Sequence, residues 1–403
     1  MAGPMRGVRV IEMATWAAIP GCASILADWG ADVIKVENPQ GGDPYRGYAH
    51  SPISQGDTPL TPSFEQKNRN KRSVTLDVAT AEGYDALLRL LAGADVFMTN
   101  SRPETLQRLG VDYQTLHGMN PRLVGVYLYG YGHKGPDANR PGYDALCFWA
   151  RSGLAMSLSQ TEDEPAGQRP AIGDTTTALA LTSGVSAALF ERERTGQGRQ
   201  VIATLYGTAL YITGSDMAQV FATGQDVRRV TRRNVGNPMT TSYRASDGKW
   251  MLLANMQFDR FWAPLCKAVG RPDLIEHPRF DTGEKRAENA AELVSIFEKV
   301  FATKSRDEWM SVLDAEGIRS GKVQTPLEAA GDEQAWASGF FQRIPHPDGG
   351  ETTYVSSPVQ FDGEMSTIKT VSPQLGQHTE EVLLEAGYSW QEIDALRDHE
   401  AIL

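Results

Sequence analysis

The feature that most constrains the fold is an alternation of buried-strand and helix patterns through the first half of the chain. Residues 8–13 form a short apolar run, residues 20–29 a helical pattern closed by Gly30, and residues 32–37 a second strand run. Similar strand patterns recur downstream at residues 73–77, 96–100, 123–129 and 200–205, with a helix at 81–91. Strands separated by helices pair in parallel, so the sequence predicts an α/β fold with a parallel sheet covered by helices.

The pattern changes after a basic stretch at residues 228–233. An Asp247-Gly248 pair next to the strand-like run at 249–253 predicts a β-hairpin. Ser305 and Glu308 have the spacing of a capping box at the start of a helix. We therefore expect a second domain to begin here, with helices at 258–269, 287–301 and 306–316. Beyond it, strand character returns at 352–355, and a last helix is expected at 379–386.

Length, charge and hydropathy exclude several classes of protein. A chain of 403 residues is long enough for roughly two to three domains. The formal net charge of −11 argues against a nucleic-acid partner, because binding phosphates along a strand requires a basic face. Apolar runs stay below the roughly 20 residues that span a membrane, and residues 1–6 lack the apolar core of a signal peptide. We therefore expect no membrane association and a cytoplasmic location.

The cysteines and histidines give no support for a disulfide framework or a metal site. Cys22, Cys147 and Cys266 are far apart and form no CxxC pair, which is typical of a protein in a reducing compartment. The seven histidines form no HxxxH or HExxH pair. No protein-held catalytic metal is therefore expected.

Residues 130–135 match the GxGxxG pattern and follow a predicted strand. A dinucleotide fingerprint must also open a helix that faces the pyrophosphate, whereas Pro136, Pro141 and Gly142 continue a loop here. An NAD-dependent dehydrogenase is therefore the weakest hypothesis. The GxSxG signature of an α/β-hydrolase serine is absent.

Asp174 is the most informative single residue of the chain. It follows Gly173 in a turn just before a helical pattern at residues 178–192 that is rich in Ala and Leu. An acidic residue at that point is either a helix N-cap, which satisfies free backbone N–H groups, or a presented nucleophile. Spacing alone favours the cap and leaves the nucleophile open.

Two basic segments have equally ambiguous patterns. Arg102 and Arg108 bracket a predicted helix start after the strand at 96–100, where they could hold phosphates or could belong to a solvated helix. The charge run at residues 68–72 is typical of a solvated loop.

Motifs spread over nearly the whole chain resemble those of the class III CoA-transferases. This family, also called CaiB/BaiF, includes formyl-CoA transferase and carnitine CoA-transferase. The resemblance is carried by residues 7–12 (GVRVIE), 26–37 (LADWGADVIKVE), 70–73 (NKRS), 76–77 (LD), 99–103 (TNSRP), 108–110 (RLG), 172–174 (IGD), 195–198 (TGQG), 247–248 (DG) and 375–379 (LGQHT).

The resemblance implies that Asp174 is the nucleophile of a reversible CoA transfer from an acyl-CoA thioester to a carboxylic acid. A carboxylate attacks a thioester without prior deprotonation, forming an aspartyl mixed anhydride and then an aspartyl-CoA thioester. Backbone N–H groups beside Asp174 or at residues 17–21 are the expected oxyanion donors, and a helix dipole is expected to keep Asp174 ionised. Coenzyme A is then a substrate, and no bound cofactor is expected.

The same resemblance assigns residues to the CoA ester. Tyr143 is expected on the acyl side, Leu76 near the adenine, and Asn100 with two arginines along the CoA backbone and phosphates. The expected CoA-binding residues are Thr15, Ala17, Ala18, Asn38, Leu76, Asn100, Arg102, Arg108 and Tyr143.

Some positions depart from the pattern of formyl-CoA transferase. That enzyme has His and Gln where this chain has Thr15 and Ala17, and it has an Arg at the position of Asn38. The lost polar contact argues against a formyl or oxalyl group, and Trp16 beside Ala17 leaves room for a larger acyl group. Residues 14–16 and 142–144 are more similar to the 2-hydroxyacyl branch of the family.

Two alternative functions stay open. An α-methylacyl-CoA racemase shares the fold but uses a His/Asp acid–base pair, and Tyr143 stands where that His would be. Tyr is a poor base at neutral pH, which disfavours racemisation. The other alternative is a non-catalytic acyl-CoA-binding relative.

The resemblance also implies an architecture. We expect a large Rossmann-like parallel-sheet domain made from both chain ends, residues 1–225 and 326–403, and a smaller α+β domain at residues 226–325. We also expect two copies of the chain to form an interlocked homodimer.

Overall fold

The structure is a computed structural model that describes residues 3–48, 61–159, 164–232 and 235–403. Its strands are β1 (Arg9–Met13), β2 (Asp32–Glu37), β3 (Arg72–Thr75), β4 (Val96–Thr99), β5 (Val124–Tyr129), β6 (Gln200–Thr204), β7 (Ser242–Arg244), β8 (Trp250–Leu253), β9 (Ser320–Val323), β10 (Phe341–Pro345), β11 (Glu351–Val355), β12 (Gln360–Phe361) and β13 (Glu364–Met365). Its α-helices are α1 (Ala18–Asp28), α2 (Pro62–Asn68), α3 (Ala81–Ala92), α4 (Pro103–Leu109), α5 (Tyr113–Met119), α6 (Leu154–Ser157), α7 (Ile172–Thr195), α8 (Leu205–Ile212), α9 (Gly214–Thr223), α10 (Phe258–Ala268), α11 (Gly283–Glu288), α12 (Ala290–Phe301), α13 (Arg306–Ala315), α14 (Pro326–Ala330), α15 (Glu333–Ala337), α16 (Thr379–Glu385) and α17 (Trp390–Asp398).

The described residues form two compact units. Unit 1 comprises those within Met1–Leu158, Pro165–Val227 and Trp336–Leu403, and unit 2 those within Ser159–Glu164 and Arg228–Ala335. Residues 326–335 therefore cluster with unit 2, whereas the sequence analysis assigns them to the returning segment.

Unit 1 is built on a parallel sheet in the order β3-β2-β1-β4-β5-β6. Each of these strands was predicted to within one or two residues, and the α/β fold class is confirmed. The strands are apolar because helices cover both faces of the sheet, leaving Val10 and Ile11 of β1 fully buried toward opposite clusters of core residues. The chain runs outward in both directions from β1, which makes the gap between β1 and β4 the topological switch point.

Small residues allow α1 and α7 to pack closely on one face of the sheet. A Cβ placed on Gly21 of α1 would lie 3.3 Å from the Cβ of Ala178 on α7. One turn further, the hydroxyl of Thr182 donates to Cys22 Sγ at 3.3 Å. This close packing brings the start of α7 beside the start of α1, at the carboxyl edge of the sheet.

The C-terminal residues return to the outer edge of the same sheet. Ser73 on β3 donates its backbone N–H to His378 Nδ1 at 3.2 Å, and His378 donates its own back to Ser73 O at 2.9 Å. Leu403 N donates to Thr75 Oγ1 at 3.1 Å. These bonds cover the edge of β3 and explain why the motif at residues 375–379 belongs with the N-terminal motifs.

Residues 68–72 are not a solvated loop, so that prediction is wrong. Asn68, Arg69 and Lys71 are almost completely buried. Their polar groups are satisfied inside unit 1, where Arg69 Nη2 bonds to Asp28 Oδ2 at 2.6 Å. A charge run can be buried when each charge has a partner, and sequence alone does not reveal the partners.

Unit 2 has an antiparallel sheet in the order β7-β8-β9, packed with helices around its own apolar core. The predicted hairpin is confirmed, with Gly248 in the left-handed region (φ 79°) at its turn. The predicted capping box is confirmed at the start of α13, where Ser305 Oγ accepts from Glu308 N.

Candidate active site

The carboxyl ends of β1 and β4 lie side by side at the switch point of the sheet. One side chain joins the loops that follow them: Asn100 Oδ1 accepts from Thr15 N at 3.2 Å, and Asn100 Nδ2 donates to Thr15 O at 2.9 Å. In open α/β sheets the crevice at this point is the usual ligand site.

A network of buried charges supports the loop after β1. Lys35 Nζ lies 2.8 Å from Glu12 Oε1 and 3.0 Å from Asp43 Oδ2, and Lys71 Nζ lies 2.6 Å from Glu12 Oε2. All four side chains have no exposed surface. Burial alone would raise the pKa of Glu12, but the two lysines hold it below its usual value. The sequence motifs that contain these residues therefore build the interior beneath the site.

The network also fixes the backbone of the loop itself. Lys35 donates to Ala14 O at 2.8 Å, and Asp43 Oδ1 accepts from Trp16 N at 3.0 Å. Trp16 has a left-handed backbone (φ 69°), a conformation that costs a non-glycine residue about 1–3 kcal/mol. Such strain persists only where the surroundings impose it, so the loop is held in one shape before any ligand binds.

Aromatic side chains surround Trp16. Its ring centroid lies 5.8 Å from that of Tyr45, 6.0 Å from that of Tyr48 and 6.1 Å from that of Tyr143. We call these four residues the aromatic wall. The last two contacts are edge-to-face, an arrangement that aromatic rings favour.

Asp174 lies in the first turn of α7, which begins at Ile172, six residues earlier than predicted. Asp144, not Asp174, caps this helix: its Oδ2 accepts from Gly173 N at 3.1 Å and from Asp174 N at 3.3 Å. The cap interpretation of Asp174 is therefore wrong, and its carboxylate accepts no hydrogen bond from the described residues. Gly173 is required here because a Cβ would collide with Asp144 and with the ring of Phe148.

The protonation of Asp174 differs from the expectation. Burial and, to a smaller extent, the charge of Asp144 raise the pKa of Asp174 to about 7, against the opposing charge of Lys67. The helix start does not keep the carboxylate fully ionised, because its nearest N–H groups already bind Asp144. Burial likewise raises the pKa of Asp144, while its bonds from Gln168 and α7 oppose the rise.

A cavity of about 620 Å³ opens between the first loop and the start of α7. Asp174, Asp144 and the four residues of the aromatic wall all line it. An adjoining cavity of about 380 Å³ shares Trp16, Asn100 and Tyr143 and extends to Arg102. A larger cavity of about 910 Å³ in unit 1 lies elsewhere and does not contain Asp174. The two connected cavities at the switch point are the candidate active site.

Most of the predicted site residues come together there, namely Thr15, Ala17, Ala18, Asn100, Arg102, Tyr143 and Asp174. Three lie outside both cavities. Asn38 is exposed after β2, Leu76 is buried among the apolar residues on the other face of the sheet, and Arg108 is exposed in the last turn of α4.

Free backbone donors also line the site. The N–H groups of Ala17 and Ala18, at the start of α1, donate to no described residue, and no side chain caps this helix. The amides of Gly173 and Asp174 are not available in this way, because both donate to Asp144. Of the two predicted sources of oxyanion donors, only the start of α1 is therefore free.

Three residues contribute to the site without having been predicted from the sequence. Asp144 follows Tyr143 in a segment that supports the resemblance, but no role was predicted for it. Lys67, whose Nζ donates to Thr175 Oγ1 at 2.9 Å, and Tyr45 carried no signal at all. Both come from segments that only the fold brings to Asp174.

Residues 130–143 form turns and irregular backbone, and the next helical segment follows Asp144, at Ala145. The prediction that a loop, not a helix, follows this GxGxxG segment is confirmed. Among residues 3–48, 61–159, 164–232 and 235–403, no three His, Cys, Asp or Glu side chains cluster as metal ligands would. Over the same ranges no helix is both long and apolar enough to span a membrane.

The chain belongs to CoA-transferase family III, whose model matches residues 5–379. It is 34% identical to (R)-2-hydroxy-4-methylpentanoate CoA-transferase of Clostridioides difficile, over 99% of each chain. It is also 34% identical to cinnamoyl-CoA:phenyllactate CoA-transferase of Clostridium sporogenes, over 98% of this chain and 97% of that one. Among solved structures, a CAIB/BAIF family protein from Brucella suis has a TM-score of 0.84 and 30% identity, covering 96% of this chain and 100% of that one. The predicted family and the predicted enzyme class, a CoA-transferase, are confirmed.

Proposed function

We propose that this enzyme transfers CoA reversibly between an acyl-CoA thioester and a carboxylic acid, with Asp174 as the nucleophile. One observation carries the proposal: the Asp174 carboxylate has no hydrogen bond from the described residues and faces a cavity at the switch point of a family III chain. A residue with only a structural role would use its oxygens to bind a neighbour, as Asp144 does.

The chemistry proceeds by two anhydrides and one enzyme thioester. An oxygen of Asp174 attacks the thioester carbonyl, the C–S bond breaks, and CoA thiolate leaves a mixed anhydride behind. The thiolate attacks Cγ of Asp174, which releases the first carboxylate and forms the aspartyl-CoA thioester. The acceptor carboxylate attacks Cγ and displaces the thiolate, which then attacks the acceptor's acyl carbon to give the new acyl-CoA and free Asp174. No proton or water is consumed.

Each attack places negative charge on a carbonyl oxygen, and the free N–H groups of Ala17 and Ala18 are the proposed donors to it. The attacking form of Asp174 is the carboxylate. Because the pKa of Asp174 is about 7, we expect transfer to fall as the pH drops below 7 and to level off above it.

We propose that CoA enters through the adjoining cavity. Thr15 and Asn100 line it, and the exposed guanidinium of Arg102 at its edge fits a phosphate. Arg108 is exposed on the same helix and is proposed to meet an outer phosphate. Asn38 and Leu76 reach neither cavity, and we assign them no contact.

The aromatic wall supports a bulky apolar acyl group. The four aromatic rings that line the 620 Å³ cavity offer apolar surface that a formyl or oxalyl group cannot use. Two relatives are named for acids with a branched or aromatic side chain, which agrees with this choice. We therefore propose acyl groups of this size, including 2-hydroxyacyl groups.

The covalent mechanism is tested by mass spectrometry of the peptide that contains Asp174. The purified protein is mixed with four probes: acetyl-, succinyl-, 4-methylpentanoyl- and 3-phenylpropanoyl-CoA. We expect an acyl or CoA adduct on Asp174 that hydroxylamine removes, formed faster with the last two probes. Transfer to a free acid without any adduct would contradict the mechanism, and binding without transfer would identify a non-catalytic relative. Entry of solvent deuterium at the α-carbon without an acceptor would favour a racemase.

We also propose a homodimer. The side chains of Tyr211 and Phe221, on α8 and α9, are 86% and 84% exposed, and Ile212 beside them is 48% exposed. Contiguous exposed apolar surface marks protein–protein interaction sites. Sedimentation at the mass of one chain would contradict this proposal, and Phe221→Asp is expected to shift the protein toward that mass.

A cytoplasmic location is proposed on the state of the cysteines. Cys22, Cys147 and Cys266 are buried and unpaired. Free thiols are typical of proteins in a reducing compartment. Fractionation of the source cells with an antibody to this chain tests the location.

A further inference from the structure

Lys67 is a cation near Asp174 that the mechanism above does not use. It lies on α2, and its Nζ donates to the hydroxyl of Thr175, the residue after Asp174, at 2.9 Å. Within the described part of the chain it has no carboxylate within salt-bridge distance. The nearby cations Arg69 and Lys71, in contrast, bind Asp28 and Glu12.

The position of Lys67 is built by its surroundings. Its side chain packs against Gly21 of α1, where a Cβ would lie at ordinary contact distance, 3.4 Å from Lys67 Cδ and 3.5 Å from its Nζ. The lysine stem therefore crosses α1 at its glycine and ends at the first turn of α7.

The charges that face these groups come from three elements. Asp174 is faced by the negative Asp144, the positive Lys67 and the phenol of Tyr45. Lys67 is faced by Asp174 and by Arg69 on its own segment. Of the groups in the described part of the chain that face Asp174, only Lys67 favours its ionised form.

We propose that Lys67 is a positioning residue that holds Asp174 in its ionised, attacking form by offsetting the negative charge of Asp144. This inference rests on the proposed function of Asp174. It adds a charge that acts through the nucleophile and does not itself touch the acyl group.

The effect has a defined sign across pH. Burial and, to a smaller extent, the charge of Arg69 lower the pKa of Lys67 to about 8, against the opposing charge of Asp174. Lys67 is thus charged below pH 8, where Asp174 titrates, and loses its charge above it. Removing the positive charge raises the pKa of Asp174. The acid limb of the pH–rate profile, where adduct formation falls as the pH drops, therefore moves to higher pH. An arginine keeps its charge at all these pH values and keeps the acid limb in place.

The test measures the rate of adduct formation on Asp174 from pH 5.5 to 9.5, using whichever of the four acyl-CoA probes labels the wild type fastest. Lys67→Met is compared with Lys67→Arg and with Lys267→Met, an exposed lysine of unit 2. For Lys67→Met we expect the pH midpoint of the labelling rate to rise by about one unit. This rise lowers the rate of labelling at pH 6 by about five- to tenfold. Labelling at pH 9 should change less than about twofold, because Asp174 is ionised there in both proteins.

Lys67→Arg is expected to keep the wild-type midpoint, and Lys267→Met to match the wild type throughout. An unchanged midpoint in folded Lys67→Met, or an equal loss at every pH, overturns the role of Lys67. If Lys67→Met does not fold, Lys67→Arg and Thr175→Val are compared instead. Thr175→Val removes the hydroxyl that accepts the hydrogen bond from Lys67. A raised pH midpoint of labelling in Thr175→Val supports the role of Lys67, and an unchanged midpoint refutes it. Absence of any adduct in the wild type is a failure of the proposed function and is distinct from these outcomes.

Discussion

Replacing Asp144 with Asn tests how the site sets the pKa of its nucleophile. The Asp144 carboxylate accepts two N–H groups of α7 through Oδ2 and the side chain of Gln168 through Oδ1, at 2.7 Å. An asparagine keeps an acceptor for α7, and its NH₂ can donate to Gln168 once that amide turns over. Asn and Asp are comparable helix caps, so we expect less than about 1 kcal/mol of lost stability.

The substitution removes one negative charge beside Asp174. Burial is the larger cause of the raised pKa of Asp174 and would persist, so the pKa should fall only part of the way from about 7 toward 3.8. A like charge at this range accounts for about one unit. Asp174 would then be about half ionised at pH 6 instead of about one tenth, a gain of about fivefold in the attacking form.

The assay is single-turnover adduct formation from pH 5 to 9 with the fastest acyl-CoA probe. We expect the acid limb to move to lower pH by about one unit, with rates within about twofold of wild type above pH 8. The matched control is Asp144→Ala, which also removes the charge but leaves two N–H groups without a partner and should lose about 1–2 kcal/mol of stability. A folded Asp144→Asn protein whose midpoint stays in place would refute the electrostatic reasoning. Loss of activity at every pH would show that Asp144 takes part in the chemistry itself.

Three further substitutions probe other parts of the site. Asp174→Asn should abolish the adduct and lower transfer by at least about a thousandfold without a change in thermal midpoint, and residual transfer above a hundredth of wild type would contradict the nucleophile. Arg102→Gln should raise KM for acyl-CoA by about tenfold with kcat within about twofold, whereas the exposed control Arg6→Gln should change neither; equal KM values in both variants would remove Arg102 from the phosphate site. Lys35→Met leaves Glu12 and Asp43 with less compensation in the interior, so urea unfolding should show a loss of about 3–5 kcal/mol, and a loss below about 1 kcal/mol would mean that the network is not needed.

The sheet of unit 1 was predictable from sequence because its strands are buried on both faces. Each strand is a short apolar run that helix patterns separate, and this signal needs no knowledge of distant contacts. Helices α9 and α17 were not predicted. α9 has no buried residue and α17 buries Ile393 and Leu396, so each presents few apolar residues to a core.

The site was predictable where one residue carries the chemistry and not where neighbours act together. Asp174 and Asn100 stand in motifs with a recognisable order. The roles of Asp144 and Lys67 depend on hydrogen bonds to residues 30 and 108 positions away in sequence. The helix dipole suggested an ionised Asp174, but Asp144 occupies the amides that would have supplied that effect.

The bond between Leu403 N and Thr75 Oγ1 joins residues 328 positions apart. At about 5–20 residues per second, a ribosome needs roughly 15–65 s to make the chain between them. Throughout that time the outer edge of β3 is uncovered. Unit 2 can fold as soon as it emerges, because all of it except a short segment is contiguous from Arg228 to Ala335. The nascent protein therefore spends most of its synthesis with an unprotected strand, which makes β3 the place where chaperone binding or aggregation during translation should concentrate.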